Sequence, residues 1–228
     1  MKRFRGLLFD LFYTLINPLA PENMAENEYQ VLGMSRENFE ERNAVDYPVR
    51  ACGEIQDPYT MMAHILRGLD IPEKKIREAT EARLRRIRRG LFGVDEKNLA
   101  LLRRFRDGGF KTALVSNADI ADLWYWKDCP LSQSFDITVF SYDAGLMKPS
   151  PQIYRLALEG LGLPPELCLY VGDGGHQELR GAREAGLTTV LSAEYIASLW
   201  PEKIPSLKAD ADYVINRLEE LEEIAGRD

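Results

Sequence analysis

The sequence predicts an α/β protein, a doubly wound parallel sheet of Rossmann-like form carrying an inserted helical cap. Three observations lead there. Short apolar runs recur along the chain, each too short for an independent helix. Helical patterns that stop near glycine lie between them. One long helical stretch near the start breaks this alternation.

Taken in order, residues 6–11 read as the first apolar strand. Residues 17–90 are helical in pattern and punctuated by Pro48, Pro58 and Pro72, so they are assigned to a cap inserted between the first strand and the rest of the sheet. The helix at 98–107 feeds a strand at 112–116, and another strand follows at 137–141. Helix 153–161, strand 167–172, helix 178–185 and strands 188–191 and 213–215 complete the alternation. Strand and helix alternating in this way build a parallel sheet with helices on both faces. The expected division is 1–16 and 91–228 for the core and 17–90 for the cap.

Composition narrows the function. With 228 residues the chain can bury a sizeable core, either as one domain with an inserted piece or as two small domains. Hydrophobic residues are 45% and charged residues 29%, which is ordinary for a globular chain. A net charge of -7 gives no pull toward nucleic acid or anionic lipid, so neither is an expected partner. Cys52, Cys129 and Cys168 are odd in number and widely spaced, with no C-x-x-C pair, which fits a reducing cytoplasm. The basic start reaches Asp10 too soon for a signal peptide or membrane span. The run 83–89, Arg-Leu-Arg-Arg-Ile-Arg-Arg, reads as a solvated helix face with Leu84 and Ile87 turned inward.

Four segments can carry chemistry, and each falls where a strand is expected to end. In a doubly wound sheet those ends meet in one crevice. Leu7-Leu8-Phe9-Asp10-Leu11-Phe12-Tyr13-Thr14-Leu15 delivers a carboxylate able to attack an electrophile, then a hydroxyl. Leu114-Val115-Ser116-Asn117 ends in a hydroxyl and an amide that can bind anionic oxygen. Met147-Lys148-Pro149-Ser150-Pro151 holds a lysine in a stiffened loop, suited to neutralising charge beside a carboxylate. Tyr170-Val171-Gly172-Asp173-Gly174-Gly175, followed by Glu178, places acid and glycine where a hard cation such as Mg²⁺ can bind. Taken singly, Asp10 serves as well for a helix cap, Ser116 and Asn117 for a turn, and Lys148 for a surface lysine. Their order, spacing and shared location are what single them out.

Those motifs resemble the haloacid dehalogenase-like hydrolases over nearly the whole chain, and the position of the cap resembles the helical C1 type of the phosphoglycolate phosphatase-like and haloacid dehalogenase-like branches. The resemblance implies a hydrolase with Asp10 as covalent nucleophile and Lys148 steadying it. Thr14, Ser116 and Asn117 would orient or bind the transferred group. Mg²⁺ would be held by Asp10, the Phe12 main-chain carbonyl and Asp173, with Glu178 as a second acid in place of the more usual aspartate. The expected substrate is a small phosphorylated metabolite, and the expected partner is that small molecule alone, with the chain a monomer or homodimer.

Phe12 departs from the phosphatase pattern, in which a second aspartate serves as general acid and base. An aromatic there matches the dehalogenases, whereas Asp173 matches the phosphatases. Three readings stay open: a magnesium-dependent phosphatase suited to acyl or aryl phosphates, a 2-haloacid dehalogenase with Arg50 or Arg42 clamping a carboxylate, and a retired hydrolase used as a binding module. Loss of a general acid costs about 10²–10⁴-fold, mainly with poor leaving groups. His176 can stand in as proton donor or simply point to solvent. Tyr13, with Phe12, is expected to narrow the pocket toward small substrates. Trp124 and Trp126 are expected to pack, Trp124 with the option of lining the pocket.

Overall fold

A computed structural model describes residues 4–20 and 26–226. Six strands form one parallel sheet: β1 Gly6–Phe9, β2 Lys111–Ser116, β3 Ile137–Phe140, β4 Cys168–Gly172, β5 Thr188–Ser192 and β6 Tyr213–Ile215, in the order β3-β2-β1-β4-β5-β6. The chain winds outward in both directions from β1, so the order reverses beside it. A crevice opens at the carboxyl ends of strands at such a reversal. Because β1 is hydrogen-bonded on both edges and covered on both faces, Leu7, Leu8 and Phe9 are all fully buried, which is why the strand reads as an unbroken apolar run.

Alternation along β1 sends its side chains to two layers. Leu7 and Phe9 join Leu101, Leu102 and Phe105 on one face, while Leu8 joins Ile153, Tyr154, Ala157 and Leu161 on the other. Strand β1 stops two residues earlier than its apolar run, because the Leu11 carbonyl turns to accept the Leu15 and Ile16 amides at 3.0 and 3.1 Å. Asp10 therefore sits at the open end of the sheet, its own amide bonded to the Val171 carbonyl at 2.9 Å.

Between β1 and β2 lie α1 Glu28–Leu32, α2 Arg36–Ala44, α3 Tyr47–Ala51, α4 Pro58–Ile65, α5 Glu73–Phe92 and α6 Glu96–Asp107. The position taken as the end of the cap, residue 90, falls inside α5. Phe39, Met61, Met62, Ile65, Leu66 and Ala79 make a separate apolar cluster within this helical layer. Helix α5 corrects the reading of its basic run. Ile87 is buried and Leu84 is half-buried as expected, but Arg83 is also buried, its guanidinium 2.8 Å from Asp119, and Arg86 pairs with Glu28 at 2.6 Å. Those acids lie 36 and 58 residues away in sequence, so charge patterning within the helix gave no sign of them. A buried guanidinium must be paired, and the fold supplies the pairing. No helix among the described residues is long and apolar enough to cross a membrane.

Candidate active site

Past β2 the chain makes α7 Ile120–Leu123, past β3 it makes α8 Ser141–Ala144 and α9 Pro151–Leu161, and past β4 it makes α10 Glu178–Glu184. The loops leading from β1, β2 and β4, together with the loop between α8 and α9, bring Asp10, Asn117, Asp173, Glu178 and Lys148 to one cavity of about 780 Å³. Phe12 and Tyr13 form part of its core side. Arg36, Tyr47, Arg83 and Arg86 face it from the helical layer above. That volume is ordinary for a small-molecule site.

Asp10 is buried, and its two carboxylate oxygens are bound on different sides: Lys148 Nζ donates to Oδ1 at 2.5 Å and Thr14 Oγ1 donates to Oδ2 at 3.2 Å. Lys148 also donates to Glu178 Oε2 at 2.6 Å. Glu178 Oε1 accepts the Gly174 amide at 2.9 Å, which is possible because Gly172 has no side chain; a Cβ there would lie 2.1 Å from that oxygen. Close approach of this kind is a glycine's use. Asp173 Oδ1 accepts the Gly175 amide at 2.9 Å.

The electrostatics follow from two buried carboxylates, Asp10 and Glu178, on one ammonium, with the half-buried Asp173 beside them. Burial, then the charge of Glu178, raises Asp10 from its ordinary 3.8 to about 7, against the opposing pull of Lys148. Burial and the charges of Glu178 and Asp10 likewise push Asp173 well above the carboxylate range. Burial alone would lower Lys148, but the Asp10 and Glu178 carboxylates outweigh it and hold the ammonium more firmly protonated. One oxygen from each of Asp10, Asp173 and Glu178 falls within 4.8 Å of the others. An all-oxygen donor set carrying more negative charge than Lys148 offsets suits a hard divalent cation.

The expected site residues divide by what they touch. Asp10, Lys148, Asp173 and Glu178 converge. Thr14 is fully buried and its hydroxyl is committed to Asp10, so in this geometry it orients the carboxylate. Asn117 borders the cavity, yet both ends of its amide are bound to the main chain of Lys148. The Ser116 hydroxyl is fully buried with no hydrogen-bond partner among the described residues, and Ser116 is not among the residues that line the cavity. Its hydroxyl lies beneath the cavity floor, one residue before Asn117, which does line it. His176 does not simply face solvent: it lines the cavity with its ring stacked on Tyr47, centroids 5.8 Å apart.

Arg50 is the clearest correction. A candidate carboxylate clamp by sequence, it is instead fully buried, donates to the carbonyls of Val45 (3.0 Å) and Asn43, and reaches within 4.0 Å of Asp119. Arg42 donates to the Arg67 carbonyl and borders a different groove. Neither arginine faces the cavity as a carboxylate clamp. Trp126 packs edge-on against Phe140, whereas Trp124 is half exposed and outside the cavity. Tyr170, buried on β4 with its hydroxyl 2.7 Å from Glu178, was not singled out from the sequence. A tyrosine inside an apolar strand needs a partner for its hydroxyl, and that was the available signal.

The chain is similar to known proteins. The haloacid dehalogenase-like hydrolase family model matches residues 4–186. A phosphoserine phosphatase of Thermus thermophilus is 32% identical over 137 residues, 59% of this chain and 54% of that protein. The chain spans about half, or less, of the length of the curated relatives it matches. Among solved structures, a family enzyme of Bacteroides thetaiotaomicron in complex with magnesium and inorganic phosphate aligns with a TM-score of 0.62 at 23% identity, covering 83% of this chain and 94% of that one. A 2-haloacid dehalogenase of Pseudomonas syringae aligns with a TM-score of 0.66 at 18% identity, covering 98% and 99%. Structural likeness at such identities speaks for the fold; the family match over most of the chain does more, and by it the chain belongs to the haloacid dehalogenase-like hydrolases.

Proposed function

We propose that the chain hydrolyses a phosphorylated small molecule through a covalent aspartyl intermediate on Asp10, with Mg²⁺ as cofactor. The observation that carries this is the cluster of Asp10, Asp173 and Glu178, with Lys148 bound to the first and the last. Asp10, the Phe12 main-chain carbonyl and Asp173 would hold the ion, with Glu178 beside them. When bound, Mg²⁺ supplies neutralisation of phosphoryl charge and lets the Asp10 carboxylate stay ionised near neutral pH.

The remaining steps belong to the chain's own groups. Lys148 fixes one Asp10 oxygen and Thr14 the other, so the carboxylate is aimed before substrate arrives. An Asp10 oxygen bonds to phosphorus as the ester or acyl oxygen departs with its electron pair. Water then attacks the aspartyl phosphate, releasing inorganic phosphate and restoring the carboxylate, and the water's proton balances the departed oxyanion. Ser116, whose buried hydroxyl has no partner among the described residues, would donate to a phosphoryl oxygen only if the cavity floor opened to it, as its motif position implies. Phe12 brings no proton to the leaving group, which favours acyl and aryl phosphates. The phosphoserine phosphatase relative supports phosphoryl chemistry.

The dehalogenase reading has Phe12 and the fold in its favour, but Arg50 and Arg42 are committed elsewhere. The deciding experiment is steady-state turnover by the protein and its Asp10→Asn variant on an aryl phosphate, an acyl phosphate and a 2-haloacid, each with Mg²⁺ and with EDTA. Phosphate release that needs both Asp10 and Mg²⁺ is expected. Halide release in EDTA would move the chain to the dehalogenases, and an absence of turnover on all three would leave a binding role.

A further inference from the structure

The Lys148 ammonium has three N–H donors, and each finds an acceptor at the buried floor of the cavity: Asp10 Oδ1 at 2.5 Å, Glu178 Oε2 at 2.6 Å and the Tyr170 hydroxyl at 3.1 Å. That hydroxyl has a second role, donating to the same Glu178 oxygen at 2.7 Å. It therefore bridges the cation and the carboxylate. The Tyr170 ring is held by the edge of Tyr154 at 5.1 Å, and Tyr154 in turn donates its own hydroxyl to the Glu178 carbonyl at 2.7 Å. Two tyrosines thus grip both the main chain and the side chain of Glu178, and the absence of a side chain at Gly172 leaves room for the carboxylate.

We infer that Tyr170 is a positioning residue for the hydrolytic site, setting how the Lys148 ammonium is shared between Asp10 and Glu178. Without its hydroxyl, Glu178 loses a neutral donor and Lys148 loses an acceptor. The ammonium then moves toward the carboxylate that has been left short of donors, and its bond to Asp10 lengthens. Glu178, no longer fixed, also presents its oxygens differently to a cation. The consequence falls on the reacting carboxylate and the cation site together, while the cavity walls that touch the rest of the substrate are unaffected. The turnover part rests on the phosphatase reading; the cation part does not need catalysis.

The test is Tyr170→Phe, which keeps the ring packed against Tyr154, measured by p-nitrophenyl phosphate turnover, by Mg²⁺ titration calorimetry and by thermal melting. The expected result is a folded protein with kcat lower by about 10–100-fold, KM nearly unchanged and Mg²⁺ affinity lower by roughly tenfold. Adding Tyr170→Phe to Glu178→Gln is expected to cost no more than Glu178→Gln alone, because the hydroxyl acts through that carboxylate. Unchanged kcat and Mg²⁺ affinity, or fully additive losses in the double variant, would overturn the inference. If the unaltered protein turns over no phosphate, the phosphatase reading fails and the Mg²⁺ titration still decides Tyr170. If the unaltered protein binds no Mg²⁺, both fall.

Discussion

Asn117 grips Lys148 by both ends of its amide: Oδ1 accepts the Lys148 amide at 2.8 Å, and Nδ2 donates to the Lys148 carbonyl at 3.0 Å. The loop after β2 is thereby bound to the loop that carries the lysine, and through Lys148 to Asp10. Removing the amide strands two buried main-chain groups, each of which costs about 1–3 kcal/mol when left unpaired. Asn117→Ala is expected to lower the melting temperature by several degrees and kcat by about tenfold or more, since misplacement of a catalytic group is costly. Asn117→Asp keeps the acceptor and loses the donor, so an intermediate defect is expected. Thermal melts and steady-state kinetics on the two variants check the order.

Asp10 is a site of stored instability. Its carboxyl is raised from 3.8 to about 7 by burial and by Glu178, so its contribution to stability is complete below pH 4 and is lost as pH rises through about 7. At pH 8 in EDTA the folded state holds a carboxylate it disfavours. Asp10→Asn cannot ionise, and Lys148 keeps Glu178 and Tyr170 as partners. The variant is therefore expected to be inactive yet to melt above the parent in EDTA, by on the order of 1–3 kcal/mol. Mg²⁺ favours the ionised form, so adding it is expected to shrink that gap. A variant less stable than the parent in EDTA would show that the Lys148 bond outweighs the burial.

A second buried acid gives a pH dependence free of the cation. Burial and the neighbouring charge of Asp119 raise Asp122 to about 6, although Arg83 pulls the other way. Here too the folded value lies above the ordinary one, so stability is retained below about pH 4 and declines as pH passes 6. Asp122→Asn still offers an oxygen to the Asp119 amide, which Asp122 accepts at 3.1 Å. The expected difference in melting temperature, variant minus parent, is positive at pH 8 and smaller at pH 5. The corresponding stability difference has a ceiling of roughly 3 kcal/mol. A difference independent of pH would assign the effect to packing.

The sheet was legible because β1, β2 and β4 are buried on both faces and so appear as apolar runs, and because the helices beside them end at glycines such as Gly108 and Gly162. The convergence of Asp10, Lys148, Asp173 and Glu178 followed from topology, since each sits just past a strand end or in a loop at that edge. Contacts that depend on long sequence separation were not legible. Asn117 reads as a ligand for anions because its hold on Lys148, 31 residues on, leaves no trace in spacing. Arg83 reads as solvated for the same reason, and Arg50, a candidate clamp, is consumed by carbonyls of its own helical layer. Polar side chains show their chemistry in a sequence but not their partners.

Tyr13, in the turn that follows Asp10, lies in the left-handed region with φ of 58°, a conformation that costs a residue bearing a Cβ about 1–2 kcal/mol. Its ring lines the cavity and meets the edge of Trp200 at 5.0 Å, a contact worth roughly 0.5–1.5 kcal/mol. Tyr13→Gly relieves the strain but loses the ring contact and adds freedom to the unfolded chain, so its stability is expected to lie within about 1 kcal/mol of the parent. Tyr13→Ala loses the contact and keeps the strain, and is expected to be the less stable of the two by about 1 kcal/mol. That order is the reverse of the one found at unstrained loop positions, where alanine stabilises relative to glycine. Both variants widen the cavity equally on the Trp200 side, so a shared gain in kcat/KM for bulkier phosphates is expected. Urea melts of the pair separate the backbone effect from the ring, and alanine proving more stable than glycine would mean that residue 13 relaxes out of the left-handed region once the ring is gone.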